Sequence, residues 1–396
     1  MCLFPGERSR ATRSPPLFNT IVKVLICPDK FKGSLTAKEV CDAVGLGFLQ
    51  ARPDAQLQFV PLADGGEGTC DLLTEWNHGR KVEVQVHGPL FAPITAHYGV
   101  SGDGQTAFIE MAVASGLTLL TPQEQDPLLT TSLGTGELIA DALGRKVKNI
   151  VLGLGGSATN DAGIGMAAAL GYAFCDADGG ILKPVGENLI HIHHIKTDGA
   201  DPLLKNVCVI ALCDVTNPLY GPEGAAHVYG PQKGATKAAV ELLDAGLRNF
   251  RRVVHKYLKN YVDFPGAGAA GGMGAGCKVF LNATIEKGVN YIIRNTGLMD
   301  KIDKADLIVT GEGKIDSQTF SGKVVSEVIR LAQQAGKPVM AVCGECDVPD
   351  REINAYGILK VISLLADGTA PESAMKEAST YLTRKISVES KNLPGF

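Results

Sequence analysis

The sequence has no long hydrophobic run and no large excess of charge of either sign. Its 396 residues contain 38 Lys and Arg against 42 Asp and Glu, which gives a formal net charge of -4. A membrane-spanning helix needs about 18 or more consecutive apolar residues, and none occurs here. The near balance of charge gives no overall attraction for nucleic acid or for an anionic membrane. We therefore expect a protein without nucleic-acid or membrane partners.

Paired cysteines are also scarce. Of the ten cysteines, only Cys343 and Cys346 form a C-x-x-C pair. A zinc site needs a second such pair or nearby histidines, and a redox motif needs a thioredoxin-like context; neither is evident. Residues 1–21 lack the apolar stretch of a secretory signal. These absences predict reduced thiols, a cytoplasmic location and a disordered leader over residues 1–21.

The standard phosphate-binding motif of P-loop proteins is missing as well. In the Gly313-Lys314 segment, Ile315 occupies the position that requires a hydroxyl. A relaxed dinucleotide pattern, G-x-G-x-x-A, does occur over residues 153–158, and Asp176 follows at about the distance of a ribose-binding acid. An NAD-dependent dehydrogenase of a small hydroxyacid is therefore an alternative function.

Hydrophobic periodicity predicts an α/β protein in two parts. Residues 21–76 show a β-α-β-α rhythm, with Ser34 as the N-cap of the first helix, and this rhythm returns near residue 305 with three further strands. Five such strands make a parallel sheet of flavodoxin-like kind in a three-layer domain. The alternating segments between them predict an inserted α/β domain with a mixed sheet. The predicted domains are residues 22–80 with 285–396, and residues 81–284.

A glycine-dense loop within residues 151–163, VLGLGGSATNDAG, indicates a strand, a tight turn and a helix start. Glycines let a ligand approach the backbone, and unpaired N–H groups at a helix start favour an anion. An ordinary strand-to-helix turn uses the same residue types and remains the alternative. The candidate phosphate-binding residues are Gly155, Gly156, Ser157, Thr159, Asn160 and Asp161.

Three further loops combine carboxylates with glycines or lysines. They cover residues 29–34, 64–69 and 311–316 and follow predicted parallel strands, whose carboxyl ends share one edge of a sheet. Carboxylates and ammonium groups suit a phosphate with Mg²⁺, although each loop alone is also typical of a solvated turn. The candidate metal ligands are Glu67, Glu312 and Asp316. The glycine-rich segment 265–276 is typical of either a linker or a ligand-facing loop.

Two polar positions stand out in the predicted inserted domain. Asp214 ends an apolar strand, where it suits a general base or a turn residue equally well. Asn217 opens the following turn. Lys233, in a glycine-flanked loop, can reach an anionic group or can be an ordinary surface lysine.

Several separated motifs together resemble the type 2 glycerate kinase family over roughly residues 22–385. They are PDKFKGSLTA (28–37), PLADGGEGT (61–69), TTSLGTGELI (130–139), GLGGSATNDAG (153–163), CDVTNPLYGPEGAA (213–226), YGPQKGAT (229–236) and TGEGKIDSQTFSGK (310–323). The resemblance implies ATP-dependent phosphorylation of D-glycerate on a hydroxyl, with the active site in a cleft between a flavodoxin-like domain and an inserted one. Lys30 and Lys314 depart from the serine and arginine common in these motifs.

On this resemblance we expect Asp214 to act as the base and Asn217 to orient the substrate. Lys32 and Lys233 are candidates for the transferred phosphate or the glycerate carboxylate. Further candidates for substrate binding are Lys30, Ser34 and Asp64. ATP and Mg²⁺ are the expected cofactors, and the chain is expected to be a monomer or homodimer. A non-catalytic small-molecule sensor is the remaining alternative, and the product can be 2-phosphoglycerate or 3-phosphoglycerate.

Overall fold

The fold is taken from a computed structural model that describes residues 21–63, 65–320, 324–365 and 370–392. Residues 1–20 of the predicted leader, and Asp64, lie outside the described residues. The strands are β1 (Lys23–Ile26), β2 (Gln56–Phe59), β3 (Arg80–His87), β4 (Pro93–Val100), β5 (Thr106–Glu110), β6 (Asn149–Gly153), β7 (Ala173–Cys175), β8 (His194–Lys196), β9 (Cys208–Leu212), β10 (Thr284–Glu286), β11 (Leu307–Ile315), β12 (Val339–Cys346) and β13 (Ile358–Ser363).

Helices follow most of the strands, except that β3, β4 and β5 are consecutive. The α-helices are α1 (Ala37–Ala51), α2 (Thr69–Trp76), α3 (Ala112–Ser115), α4 (Leu133–Gly144), α5 (Ile164–Ala169), α6 (Ala225–Tyr229), α7 (Lys237–Leu258), α8 (Ala269–Phe280), α9 (Gly288–Thr296), α10 (Leu298–Lys304), α11 (Val324–Gln334), α12 (Asp350–Ala355), α13 (Pro371–Lys376) and α14 (Ala378–Glu389). Short 3-10 helices lie at Leu117–Leu119, Gly186–His191, Pro202–Asn206, Pro231–Lys233 and Ser390–Asn392. Across the described part of the chain, no helix has the length and apolar character that crossing a membrane requires.

The first sheet has five parallel strands in the order β13-β12-β11-β1-β2. Counted along the chain, this is the order 2-1-3-4-5 of flavodoxin-like sheets. Val24 and Ile26 pack in one buried apolar cluster, whereas Leu25 and Cys27 pack in another. Both faces of the sheet are therefore covered, which explains the continuous apolar runs in the central strands β1, β11 and β12, whereas the edge strand β2 alternates and is largely exposed. The predicted flavodoxin-like sheet is confirmed.

The second sheet has six strands in the order β10-β9-β6-β5-β4-β3. β3, β4 and β5 pair antiparallel, whereas β5, β6, β9 and β10 pair parallel. The predicted mixed sheet, inserted between strands of the first sheet, is therefore confirmed. β7 and β8 form a separate antiparallel pair. The predicted boundary at residue 284 falls inside β10, and the exact domain boundaries remain a prediction.

The two sheets share apolar packing. Phe108, Val151 and Leu212, from the second sheet, lie in the same buried cluster as Leu25 and Val60 of the first. These side chains are at most 2% exposed. The packing between the two sheets is therefore an apolar core, on which the loops at the strand ends are supported.

Two local expectations are corrected by the structure. The first helix begins at Ala37, and Thr36, with Glu39, forms its capping box. Ser34 is not the cap; its Oγ donates to the backbone O of Met375 at 2.7 Å. The linker alternative for residues 265–276 is also wrong, because all of this segment except Pro265 and Ala270 is buried and a Cβ on Gly271 would lie 2.0 Å from the carbonyl of Thr159.

Candidate active site

The glycine loop leaves β6 and turns sharply towards the first sheet. Gly156 has a φ of +74°, a left-handed conformation that favours glycine. A Cβ on Gly155 would lie 3.0 Å from the Cα of Gly66, in the loop between β2 and α2. Glycine at position 155 therefore lets the two loops touch backbone to backbone.

These loops enclose a cavity of about 360 Å³, which we call the glycine-loop cavity. Most of its polar wall comes from four segments that are far apart in sequence. The lining residues include Gly65, Gly66, Gly155, Gly156, Ser157, Asp214, Tyr229, Gln232 and Lys233. Backbone amides, one carboxylate and one amine thus surround a space large enough for a small anion. Tyr229 and Gln232 were not singled out from sequence, although both lie in the YGPQKG motif.

Lys233 is 2% exposed, so the alternative of an ordinary surface lysine is wrong. Its Nζ donates to Ser157 Oγ and to the carbonyl of Thr159, each at 2.7 Å. Burial disfavours the ammonium form and lowers the pKa of Lys233 to about 7, an effect that the charge of Asp161 partly opposes. The amine therefore binds the glycine loop directly and can change its charge near neutral pH.

Asp161 lies behind the loop and is fully buried. Its carboxylate accepts hydrogen bonds from the N–H and hydroxyl of Ser132, at 2.8 and 2.7 Å, and from the N–H groups of Gly163 and Gly165. Burial raises the pKa of Asp161, and these bonds oppose the shift. Asp161 therefore holds the shape of the loop. Thr159 and Asn160 are also fully buried and do not line the glycine-loop cavity.

Asp214 follows β9, is exposed, and lines the same cavity. Its Oδ1 accepts from the N–H of Gly288, at the start of α9, at 2.9 Å. A Cβ on Gly65 would lie 3.5 Å from its Oδ2. The Oδ1 atom is therefore anchored at the start of α9, and the carboxylate lies beside the β2–α2 loop.

Asn217 contributes by bracing a neighbour. Its Oδ1 accepts from the hydroxyl of Tyr229 at 2.6 Å, and its Nδ2 donates to the carbonyl of Glu223 at 2.9 Å. Tyr229 itself lines the glycine-loop cavity. Asn217 thus fixes the position of an aromatic hydroxyl at the site.

A larger cavity of about 530 Å³ lies at the carboxyl ends of β1, β11, β12 and β13; we call it the strand-end cavity. It brings together Lys30, Lys32, Ser34, Glu312 and Asp316, which the sequence placed at one sheet edge, together with Asp29. The Nζ of Lys30 also binds the carbonyl of Glu67 and lies 3.8 Å from its carboxylate. The predicted convergence of the loops after β1 and β11 is observed.

A third cavity of about 450 Å³ shares Lys30, Lys32 and Ser34 with the strand-end cavity. Glu67 and Glu110 are among its other lining residues. Glu110 ends β5 and is 7% exposed; it accepts from the N–H of Cys70 at 2.8 Å, in the first turn of α2. Burial raises the pKa of its carboxyl group. Glu110 was missed from sequence, since only the packing of β5 against α2 brings it here.

The predicted metal ligands do not form one cluster. Asp316 accepts from the N–H groups of Gln318 and Thr319 in a local turn, and the carboxylate of Glu67 lines a different cavity from Glu312. Among the described residues, no group of three or more His, Cys, Asp or Glu side chains is placed to hold a metal. Glu312 and Asp29 instead line one cavity at the ends of neighbouring strands. Mg²⁺ is commonly bound by one or two carboxylates, with phosphate oxygens and waters as its remaining ligands. The pair Asp29 and Glu312 therefore fits a Mg²⁺ ion that is bound together with phosphate.

Comparison with known proteins identifies the family. The sequence model of the glycerate kinase family matches residues 24–388, nearly the whole chain. The chain belongs to the glycerate kinase family. It is 45% identical to the glycerate 2-kinase of Escherichia coli (strain K12) over 354 residues, which are 89% of this chain and 93% of that protein. It is 40% identical to the glycerate kinase of Bacillus subtilis (strain 168) over 364 residues, 92% and 95% of the two chains.

A solved structure shows the same architecture. A crystal structure described as glycerate kinase 2 from Salmonella typhimurium LT2 superposes on this chain with a TM-score of 0.84 and is 43% identical in sequence. The match covers 94% of this chain and 98% of that one. The family resemblance read from the sequence is confirmed, and a kinase is confirmed over the dehydrogenase and sensor alternatives. The roles of the individual residues at the site of this chain remain predictions.

Proposed function

We propose that this protein transfers the γ-phosphoryl group of ATP to a hydroxyl of D-glycerate, giving ADP and 2-phosphoglycerate or 3-phosphoglycerate. One observation supports this above the others: the buried Lys233 amine and the exposed Asp214 carboxylate line the same cavity with the glycine loop. Phosphoryl transfer needs positioning, compensation of phosphate charge and an acceptor for the hydroxyl proton. This cavity offers groups for all three.

The phosphate side of the reaction is assigned to the glycine loop. The backbone at Gly155 and Gly156 and the Ser157 hydroxyl bind phosphate oxygens, and the Lys233 ammonium neutralises them. An adjacent anion favours the charged form of a lysine, so phosphate binding opposes the effect of burial and shifts the pKa of Lys233 upward. Asp161, with Thr159 and Asn160, supports this loop from behind rather than contacting phosphate.

The acceptor side is assigned to Asp214. Its carboxylate takes the proton of the attacking hydroxyl, while the Gly288 N–H keeps it in place. Asn217 acts through Tyr229, which lines the cavity and whose hydroxyl donates to Asn217 Oδ1. Lys32 is exposed and makes no hydrogen bond or ion pair with the described residues, so it can bind an anionic group of a substrate. Lys30, Ser34 and Asp64 remain proposed contacts of the substrates, ATP or D-glycerate.

Mg²⁺ is proposed as the metal, with Asp29 and Glu312 as its holders, and when bound it offsets the negative charge of the phosphates. Glu67 and Asp316 are then left with supporting roles in their loops. We also propose a cytoplasmic enzyme that acts as a monomer or homodimer on a small-molecule substrate. Size-exclusion chromatography with light scattering distinguishes the two oligomeric states.

The test is an assay of the full chain with ATP, Mg²⁺ and D-glycerate. We expect ADP to form only when D-glycerate is present, and ³¹P NMR of the product to show phosphate on C2 or C3. L-Glycerate, which inverts the configuration at C2, and D-lactate, which lacks the C3 hydroxyl, serve as matched acceptors that change one feature each. ADP formation that does not depend on glycerate, or NADH formation from NAD and glycerate, would overturn the proposal.

A further inference from the structure

The strand-end cavity lies where an open parallel sheet changes direction. From β1 the chain runs to β2 on one side, and β11 pairs with β1 on the other. Ligands of doubly wound sheets bind outside the carboxyl ends of the strands at such a point. Asp29 follows β1 and Glu312 lies in the outer half of β11, so both carboxylates flank the place where the strand order reverses.

Much of the wall of this cavity is apolar. The apolar lining residues include Val324, Leu364, Leu365, Pro371, Ala374 and Met375. D-Glycerate is a three-carbon acid with two hydroxyls and has little apolar surface to bury, whereas an adenine ring has two flat apolar faces. The cavity volume, about 530 Å³, also lies within the range of roughly 300–1,000 Å³ that is usual for larger ligands.

The cavity is also connected to the glycine loop through a short segment. Lys30 lines the strand-end cavity, and its Nζ binds the carbonyl of Glu67. The preceding residue, Gly66, lines the glycine-loop cavity and makes the close backbone approach to Gly155. The adjacent residues Gly66 and Glu67 thus link a lining residue of one cavity to the glycine loop that lines the other, and this is the route we assign to a ligand that is apolar at one end and polyanionic at the other.

We propose that the strand-end cavity binds the adenosine part of ATP, while the glycine-loop cavity of the other sheet binds the transferred phosphoryl group and glycerate. This inference rests on the proposed function and adds where the nucleotide base lies. The apolar wall formed after β13 and by α13 contacts the base, and the lysines of the β1 loop follow the phosphate chain.

Photolabelling of the wild-type chain tests this placement directly. We would irradiate the full-length protein with 8-azido-ATP and Mg²⁺ and map the labelled peptides by mass spectrometry. Label is expected on peptides that carry Leu364, Leu365 or Met375, and unlabelled ATP is expected to prevent it. Label confined to peptides from residues 153–161 or 213–233, or label that ATP does not prevent, would overturn the inference.

A pair of surface variants provides a second, kinetic test. Met375 is 53% exposed, so Met375→Asp should fold, and it places a carboxylate in the apolar wall. We expect the KM for ATP to rise about tenfold or more, since apolar contact is lost, while the KM for D-glycerate changes less than about twofold. Val388→Asp, at a 57% exposed apolar residue outside this cavity, is the matched control and should leave both values unchanged.

The outcomes separate this inference from the proposed function. An unchanged KM for ATP in Met375→Asp, or a rise in the KM for glycerate alone, contradicts the nucleotide site while leaving the kinase reaction intact. Absence of glycerate-dependent ADP formation by the wild-type protein contradicts the proposed function, whereas competed label at Leu364 or Met375 would still support the nucleotide site.

Discussion

At the scale of single residues, Lys233 shows how a fold changes the chemistry of a side chain. Its amine is held between Ser157 Oγ and the Thr159 carbonyl, and burial lowers its pKa to about 7. An unfolded lysine has a pKa near 10.5. Between pH 7 and pH 10.5 the unfolded chain therefore binds more protons at this residue than the folded one does. This contribution makes the free energy of unfolding rise with pH across that window.

The variant Lys233→Met removes this titration. We expect the stability of the wild type, relative to the variant, to increase between pH 7 and pH 10. Denaturant unfolding followed by circular dichroism at matched pH values measures the difference. Lys237→Met, at an exposed lysine four residues away, is the control for replacing a surface lysine by methionine. A flat difference for Lys233→Met would argue against a depressed pKa.

Asp214 is the residue on which the proposed base chemistry depends. Asp214→Asn can still accept the hydrogen bond from Gly288 but cannot take up a proton, so kcat should fall by roughly two to four decades. The KM for ATP should change little, because the phosphate contacts are assigned to other residues. Asp198→Asn, at an exposed carboxylate outside the cavity, should retain wild-type turnover. Near-normal turnover of Asp214→Asn would assign the base to another group.

At the scale of elements, the contact between the glycine loop and the β2–α2 loop is decisive. In Gly155→Ala, the new Cβ would lie 3.0 Å from the Cα of Gly66, which is backbone and cannot rotate away. We expect the loops to separate, the KM for ATP to rise about tenfold or more, and the free energy of unfolding to fall by about 1–3 kcal/mol. Steady-state kinetics and denaturant unfolding measure the two effects.

Gly144 supplies the matched glycine control. It ends α4, it is exposed, and a Cβ there would meet nothing within 4 Å. Gly144→Ala should leave kinetics unchanged and should stabilise the helix by up to about 1 kcal/mol. Similar kinetic effects at both glycines would show that the close approach of Gly155 to Gly66 has no special role.

At the scale of the whole molecule, the apolar packing shared by the two sheets should couple their unfolding. Phe108 is 1% exposed and lies in the same cluster as Leu25 and Val60. Phe108→Ala should lower the free energy of unfolding by about 3–5 kcal/mol. The 44% exposed Phe59 is the control, and Phe59→Ala should cost much less.

The same shared core predicts one cooperative transition. The single tryptophan, Trp76, ends α2, and far-UV circular dichroism reports on the whole chain. Denaturation curves from Trp76 fluorescence and from circular dichroism should coincide for the wild type. Two separated transitions would show that the sheets unfold independently and that the shared packing contributes little.

The parts of the fold that sequence predicted are those set by short-range patterns. Apolar runs marked the buried parallel strands, and alternation marked β3 and β4, because a side chain's face is fixed by local backbone geometry. The first helix start was misplaced by sequence. Phe31 and Leu35 pair in a tight bridge, so the helix begins after Thr36 rather than at Ser34.

The sequence predicted which residues belong to the site better than it predicted what each residue does there. Asp161 and Ser157 are both polar residues of the glycine loop, and the sequence does not distinguish them. In the structure Asp161 is buried against Ser132, whereas Ser157 lines the glycine-loop cavity. Asn217 and Asp214 follow the same strand, but only Asp214 lines the cavity. Such differences depend on contacts between distant segments, which local patterns do not contain.

The sequence by itself determined the fold class, the family and the loops that hold the chemistry, because glycines, strand periodicity and spaced motifs act locally. Only the tertiary structure decided which side chains share a cavity. Thr310, for example, binds the carbonyl of Cys27 across 283 residues of chain, and that pairing is what brings Asp29 and Glu312 into one site. Long-range strand pairing and burial set the distances and the charge of Lys233, and both exist only when the chain is folded.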